Sequence, residues 1–246
     1  MITKSITKNS IKKDNILKTL SKIIIAVVFL CSCERENLSI SHSEYTFGID
    51  VSHYQGKISW SKVKKSHHPI KFVFIRSTMG KDGVDKEFQN NWEGAKESGF
   101  MRGAYHYYRP SENSTDQFNN FKRQVELEKG DLYPVLEIEE MSEYGLENLQ
   151  KGITNWLKLA EEEYGVKPII YSGRSFYINN LKEKFSLYPF WVASYSSKDK
   201  LNKIDWSFHQ FIDKVRVSGI PELTDGNDFK GTEEELLGFC ISSRDI

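Results

Sequence analysis

The residues of this 246-residue chain best placed for chemistry are acids at the ends of apolar runs. In Pro134-Val135-Leu136-Glu137-Ile138-Glu139, the period-two alternation of a strand sets Val135, Glu137 and Glu139 on one face. Leu136 and Ile138 fall on the other face, where they can pack under helices. Two neighbouring acids on an apolar strand are costly to bury, because desolvation and like charge both raise a carboxyl pKa. The first apolar run repeats the pattern: Phe47, Ile49 and Val51 share one face, and Gly48, Asp50 and Ser52 the other. A third acid, Asp225, lies in the last strand candidate. Acids converging on one mouth suit glycoside hydrolysis, in which one carboxyl protonates the leaving oxygen and another stabilises the cationic centre. A lone strand-end acid is more usually a loop cap or an ion-pair partner. A metal site on the same acids would lack clustered histidines, since His67-His68 falls in a loop. The residues alone therefore reach a carbohydrate-active barrel and stop there.

Such a mouth needs a sheet whose strand ends meet. Strand candidates are 47–52, 72–77, 103–107, 134–139, 168–172, 190–195 and 208–212, with a weaker one near 223–227. Helices are expected over 86–98, from a capping-box signal at Ser114-Thr115-Asp116-Gln117 to a stop at Gly130, over 146–164, and over 175–185. The alternation runs without a linker-like break, so one α/β domain is the economical reading. Eight strand candidates favour a barrel over an open sheet, irregular because the later elements are thin in helix. Tyr105, Tyr107, Trp191 and Tyr195 offer rings that stack on sugars, although about half of such positions must face the helices instead. His106 is either a groove donor or a core histidine. Arg76, at the end of the second strand, reads as an ion-pair partner for the rim acids.

Charge is balanced, 34 basic against 34 acidic residues, and mean hydropathy is −0.52. A polytopic membrane protein and a disordered chain are both excluded on those values, and a nucleic-acid binder would carry a basic face. The balance has a local origin. Residues 1–32 hold six lysines and one acid, Asp14; removing them from 34 of each sign leaves 28 basic and 33 acidic residues, a net of −5. The lysines precede Ile23-Ile24-Ile25-Ala26-Val27-Val28-Phe29-Leu30, the pattern of a secretory signal and too short to span a bilayer, which takes roughly 20 residues. Leu30-Cys31-Ser32-Cys33 then resembles a bacterial lipobox, with Cys33 the residue that would be lipidated. The expected organisation is a signal over 1–33, a polar tether over 34–46 and the barrel over 47–246. The alternatives are an ordinary cleaved signal or, given the long basic stretch, a start placed too early. Cys240, in an apolar run, reads as a buried thiol.

The ordered motifs also resemble a known family, the glycoside hydrolase family 25 lysozymes, or N-acetylmuramidases. Phe47-Gly48-Ile49-Asp50-Val51-Ser52-His53-Tyr54-Gln55-Gly56 with Trp60 is similar to its opening signature. Phe72–Gly80, Gly103-Ala104-Tyr105-His106-Tyr107, Pro134–Glu139, Trp191-Val192-Ala193-Ser194-Tyr195 and Asp225–Gly231 follow in order. The resemblance covers about residues 47–240. It implies a (β/α)-type barrel with fewer helices than strands that cleaves the β-1,4 bond after N-acetylmuramic acid in peptidoglycan, without a cofactor or metal. Position by position, Glu139 matches the general acid/base, Asp50 the strand-one acid, and Asp225 an acid lining the same groove. Glu137 stands where the family usually has Asp, the residue thought to orient the substrate's own acetamido group. Tyr105, His106, Trp191, Tyr195 and Gln210 are the candidate substrate contacts. Met79 replaces a common Glu, and His209 and Phe211 flank Gln210 where Trp and Tyr are frequent. These departures keep a rival open, a non-catalytic glycan-binding module on the same scaffold. The expected protein is a monomeric, lipid-anchored envelope enzyme that meets glycan strands and the membrane but no nucleic acid.

Overall fold

The computed structural model describes residues 45–196 and 198–243. Strand β1 (Thr46–Val51) lies between β2 (Phe72–Met79), to which it is parallel, and the last strand of the chain. From β2 the sheet continues in parallel through β4 (Met101–Tyr107), β5 (Val135–Glu137), β6 (Ile169–Gly173), β7 (Phe190–Ala193) and β8 (Phe208–Val215). The short β3 (Gly83–Val84) is a hairpin partner at the end of β2. The last strand, β9 (Thr224–Phe229), pairs antiparallel with both β8 and β1 and closes an eight-stranded barrel. The described helices are fewer than the strands, as expected.

The helices cover the first two-thirds of the barrel: α1 (Trp60–Val63), α2 (Phe88–Glu97), α3 (Ser114–Gln124) and α4 (Leu146–Tyr164). In α4 the spacing of Leu149, Ile153, Trp156, Leu157, Ala160 and Tyr164 builds one apolar stripe, all buried, and Gly165 ends the helix at φ 68°. Each large side chain so buried contributes roughly 1.5–3 kcal/mol of transfer free energy. The expected capping box of α3 is displaced by one residue. Asn113 is the cap, its Oδ1 accepting from the Thr115 and Asp116 amides at 2.9 and 3.1 Å, because an Asn side chain reaches those donors directly. That helix stops at Gln124, where Val125 turns extended, well short of Gly130. The expected 175–185 helix contains a π turn, Tyr177–Leu181, between Arg174–Phe176 and Lys182–Phe185.

Aromatic rings fill the barrel interior below its mouth. Phe74 stacks on Trp191 at 4.4 Å, and Phe208 lies 5.2 Å from Phe74 and 5.1 Å from Phe229. Small residues on the inward face make this packing fit. A Cβ on Gly48 would meet the Phe72 ring at 2.5 Å, and one on Gly103 the Phe74 ring at 2.7 Å. Cys240 is buried below the same cluster as a free thiol, and burial pushes its pKa up to about 11. The rings form a dry floor, so polar residues one or two positions further along each strand are held at the top.

Candidate active site

The mouth holds a cleft of about 480 Å³ whose walls include Asp50, Glu137, Glu139, Glu140, Asp225, Tyr171, Tyr195 and Gln210. Register explains the convergence. Tyr107, Glu137 and Tyr171 are direct neighbours across β4, β5 and β6, and Asp50 pairs directly with Asp225 across β1 and β9. Asp225 reaches the mouth for a reason that alternation does not contain: β9 runs antiparallel, so its beginning, not its end, lies level with the C-terminal ends of the other strands.

Glu139 lies just beyond β5, which ends at Glu137 and not at Glu139 as the sequence pattern predicts. The chain is nonetheless pinned there. The fully buried Ile138 donates its N–H to the Tyr171 carbonyl at 2.9 Å, and its own carbonyl accepts from Ser172 Oγ at 2.6 Å. Glu139 is exposed at the rim while Glu137 is half-buried below it. Desolvation raises the Glu139 pKa, opposed by the nearby Tyr171 hydroxyl, with the charges of Glu140 and Asp50 adding to the rise. Glu137 is raised well above the usual carboxylate range, first by burial and then by the charges of Glu139 and Asp50; Arg76 is the cation that offsets them. The Glu137 carboxylate takes no hydrogen bond from the described residues, which leaves its oxygens free for a ligand.

Asp50 is the opposite case, a fully partnered acid. Its Oδ2 accepts from Gln210 Nε2 at 3.0 Å and Asn227 Nδ2 at 2.7 Å. Gln210 is itself fixed, because its Oε1 accepts from Tyr171 at 3.0 Å and Tyr195 at 2.8 Å, which sets the amide the right way round. Burial raises the Asp50 pKa against the pull of these bonds. In Asp225 burial, then the charge of Asp50, then that of Asp213 push the pKa up to about 8. The Asp50 and Asp225 carboxyls are hydrogen-bonded to each other, so the two acids titrate as a pair.

The parts agree with known proteins. Residues 49–220 match the family model described as Glycosyl hydrolases family 25. The chain belongs to glycoside hydrolase family 25. YegX of Escherichia coli O6:H1 is 42% identical over 202 residues, covering 80% of this chain and 74% of YegX. Lysozyme M1 of Streptomyces globisporus is 30% identical over 214 residues, covering 78% of this chain and 70% of that one. A family 25 glycosyl hydrolase from Bacillus anthracis superposes with a TM-score of 0.74 at 30% identity, over 81% of this chain and 95% of that one. A bacterial lysozyme from Streptomyces coelicolor gives 0.71 at 27% identity, over 81% and 98%. Family 25 membership makes the chain a glycoside hydrolase.

Within this family 25 barrel, not every expected contact reaches the cleft. His106 is fully buried on the helix side of β4, stacked on Trp156 at 5.8 Å and bonded to Thr78 Oγ1 at 2.7 Å and Gln117 Oε1 at 3.1 Å. Burial lowers its pKa to about 4, so it is a neutral core histidine and not a groove donor. Alternation explains the outcome, since Tyr105 and Tyr107 on either side both face the cleft. Trp191 points inward but belongs to the floor, 2% exposed, its indole N–H donating to Asn227 Oδ1 at 2.8 Å. It holds Asn227 and does not stack on a sugar. Tyr195, 59% exposed, lines the cleft with its ring open to a ligand. Arg76 is an ion-pair residue as expected, but its partner is Asp85 at 3.0 Å, in the loop after β3, and not a rim acid. Sequence reasoning missed Asn227 and Tyr171. Asn227 was within reach, because it lies two residues from Asp225 and so on the same face of β9.

Proposed function

We propose that this protein is an N-acetylmuramidase of peptidoglycan, with Glu139 as general acid/base and Glu137 stabilising an intermediate formed by the substrate itself. The observation that supports this most strongly is the placement of the two acids at the end of β5: Glu139 exposed at the rim just past the strand, and Glu137 half-buried below it with no hydrogen bond from the described residues. A group that must be protonated first and ionised later suits the first position. A group that must meet charge developing on the ligand suits the second.

In the proposed sequence, Glu139 gives its proton to the glycosidic oxygen as the C1–O bond breaks. The acetamido carbonyl oxygen of the muramic residue bonds to C1 and forms a cationic oxazolinium, while Glu137 accepts the acetamido N–H and balances that charge. Glu139, now ionised, takes a proton from water as the water oxygen attacks C1, the ring opens, and the product retains its configuration. Asp50, fixed by Gln210 and Asn227, and Asp225 beside it form the acidic wall of the cleft. The names of Lysozyme M1 and of the Streptomyces coelicolor lysozyme support the substrate class. Incubation with purified sacculi is expected to release reducing ends whose mass spectra carry muramic acid at the new terminus. Release of N-acetylglucosamine termini, or none at all, overturns the reading.

The same proposal places the enzyme outside the cytoplasm, held by a lipid on Cys33 and acting as a monomer. Cys33 lies outside the described residues, and its motif is the support. No helix among the described residues is long and apolar enough to cross a membrane. Stable anchoring takes two or more acyl chains, so Cys33→Ala is expected to move the protein from the membrane fraction to the soluble one; unchanged retention refutes the lipid anchor.

A further inference from the structure

The cleft is strongly acidic, with Asp50, Glu137, Glu139, Glu140 and Asp225 on its walls, and two cations share it. Arg76 is tied up: its Nε donates to Asp85 and its guanidinium lies against His53. Arg109 is held differently. One amino group pairs with Glu112 Oε1 at 3.2 Å, and the other meets nothing stronger than the Met79 thioether at 3.5 Å, a weak acceptor. The side chain is 41% exposed and lines the cleft beside Met79 and Tyr107.

The surrounding chain is built to hold this guanidinium still. Glu112 Oε2 accepts from the Lys81 amide at 2.6 Å, which ties the turn between β2 and β3 to the Arg109 ion pair. Gly80, at φ 60°, leaves room for that pair, since a Cβ there would approach the Arg109 Cδ to 2.8 Å and Glu112 Oε2 to 2.5 Å. The Arg109 amide is fixed by Gln117 Oε1 at 2.9 Å. A preorganised Arg with one under-used face, in a cleft that otherwise repels anions, has one obvious ligand chemistry. Planar guanidinium groups bind carboxylates, frequently through two donors.

We infer that Arg109 is a specificity residue that binds a carboxylate carried by the glycan, and so admits an anionic polymer to an acidic cleft. The inference rests on the muramidase reading for its substrate. Peptidoglycan offers such a group from two sources, the stem peptides and the lactyl ether once the peptides are removed. The experiment compares kcat/KM on intact sacculi with that on sacculi whose carboxyls have been converted to amides. The parent should prefer the carboxylate form, and in Arg109→Gln that preference should fall about tenfold, as expected for one charge-assisted contact at a half-exposed site. Arg109→Lys, which keeps the charge and loses the fork, should fall between them, with thermal melts showing both variants folded.

A preference unchanged in Arg109→Gln overturns the inference, as does an equal loss on both substrates. Sacculi stripped of stem peptides by an amidase identify the source. Because the amidase frees the lactyl carboxylate as it removes the peptide carboxylates, a deficit that persists there means that the site takes the lactyl carboxylate too, and one that vanishes means that it takes the peptide carboxylates alone; both support the site. The two readings fail separately. A parent that co-sediments with sacculi without releasing reducing ends sinks the muramidase, while the ratio of bound fractions on the two substrates still tests Arg109.

Discussion

Glu139→Gln is expected to cost 10²–10⁴-fold or more in kcat with the fold intact, the range over which positioned acid/base groups act. The structure sharpens that expectation in two ways. Glu139 sits at the rim after a strand pinned by Ile138 and is exposed, so an isosteric amide leaves the packing undisturbed. Its carboxyl must carry a proton for the first step, and desolvation raises its pKa above the ordinary 4.5. The sign of the pH effect follows. The protonated fraction, and with it kcat/KM, declines as pH rises through the raised pKa, so the alkaline limb of the profile lies above the usual glutamate value. Glu139→Gln should remove that limb together with the rate. Near-parental turnover in this variant, measured by reducing-end release, refutes the acid/base role.

What the sequence could and could not show has a physical basis in each case. Alternation along β1 and β5 placed Asp50 and Glu137 correctly, because a strand with one face in a ring-packed interior cannot slip by one residue without burying the wrong set. The same rule would have sent His106 outward, since it lies between two inward tyrosines; a polar ring beside a groove looked like a donor only until Trp156 was seen above it. Trp191 shows the limit of phase alone. It faces inward as expected, yet depth along the strand decides between floor and cleft, and Ala193, not Trp191, stands level with Gln210 across β7 and β8. Asp225 was found for an incomplete reason, because the reversal of β9 is a property of closure against β1 and β8 that no local pattern contains. The network on Asp50, which joins residues up to 177 positions apart, is invisible before the barrel closes.

Glu137→Gln and Glu137→Asp separate the charge of this side chain from its length. Glu137 lies below Glu139 with no hydrogen bond from the described residues, so nothing in the protein fixes the carboxylate except its strand and the field of Arg76. Gln keeps the length and removes the charge. If that charge balances an oxazolinium, its loss in a preorganised site is worth about 2.7–4 kcal/mol, or 10²-fold and more in rate. The loss should fall on kcat with KM nearly unchanged, because the interaction strengthens when the cation forms. Asp keeps the charge and withdraws it by one carbon. As no protein donor is broken by the withdrawal, the cost is only the added separation from the acetamido group, and Glu137→Asp should shift the rate far less than Gln does. A Gln variant as active as the parent would mean that the charge of Glu137 does no chemical work. The stabilising role would then pass to Asp50, whose carboxyl is already oriented by Gln210 and Asn227 at the same mouth.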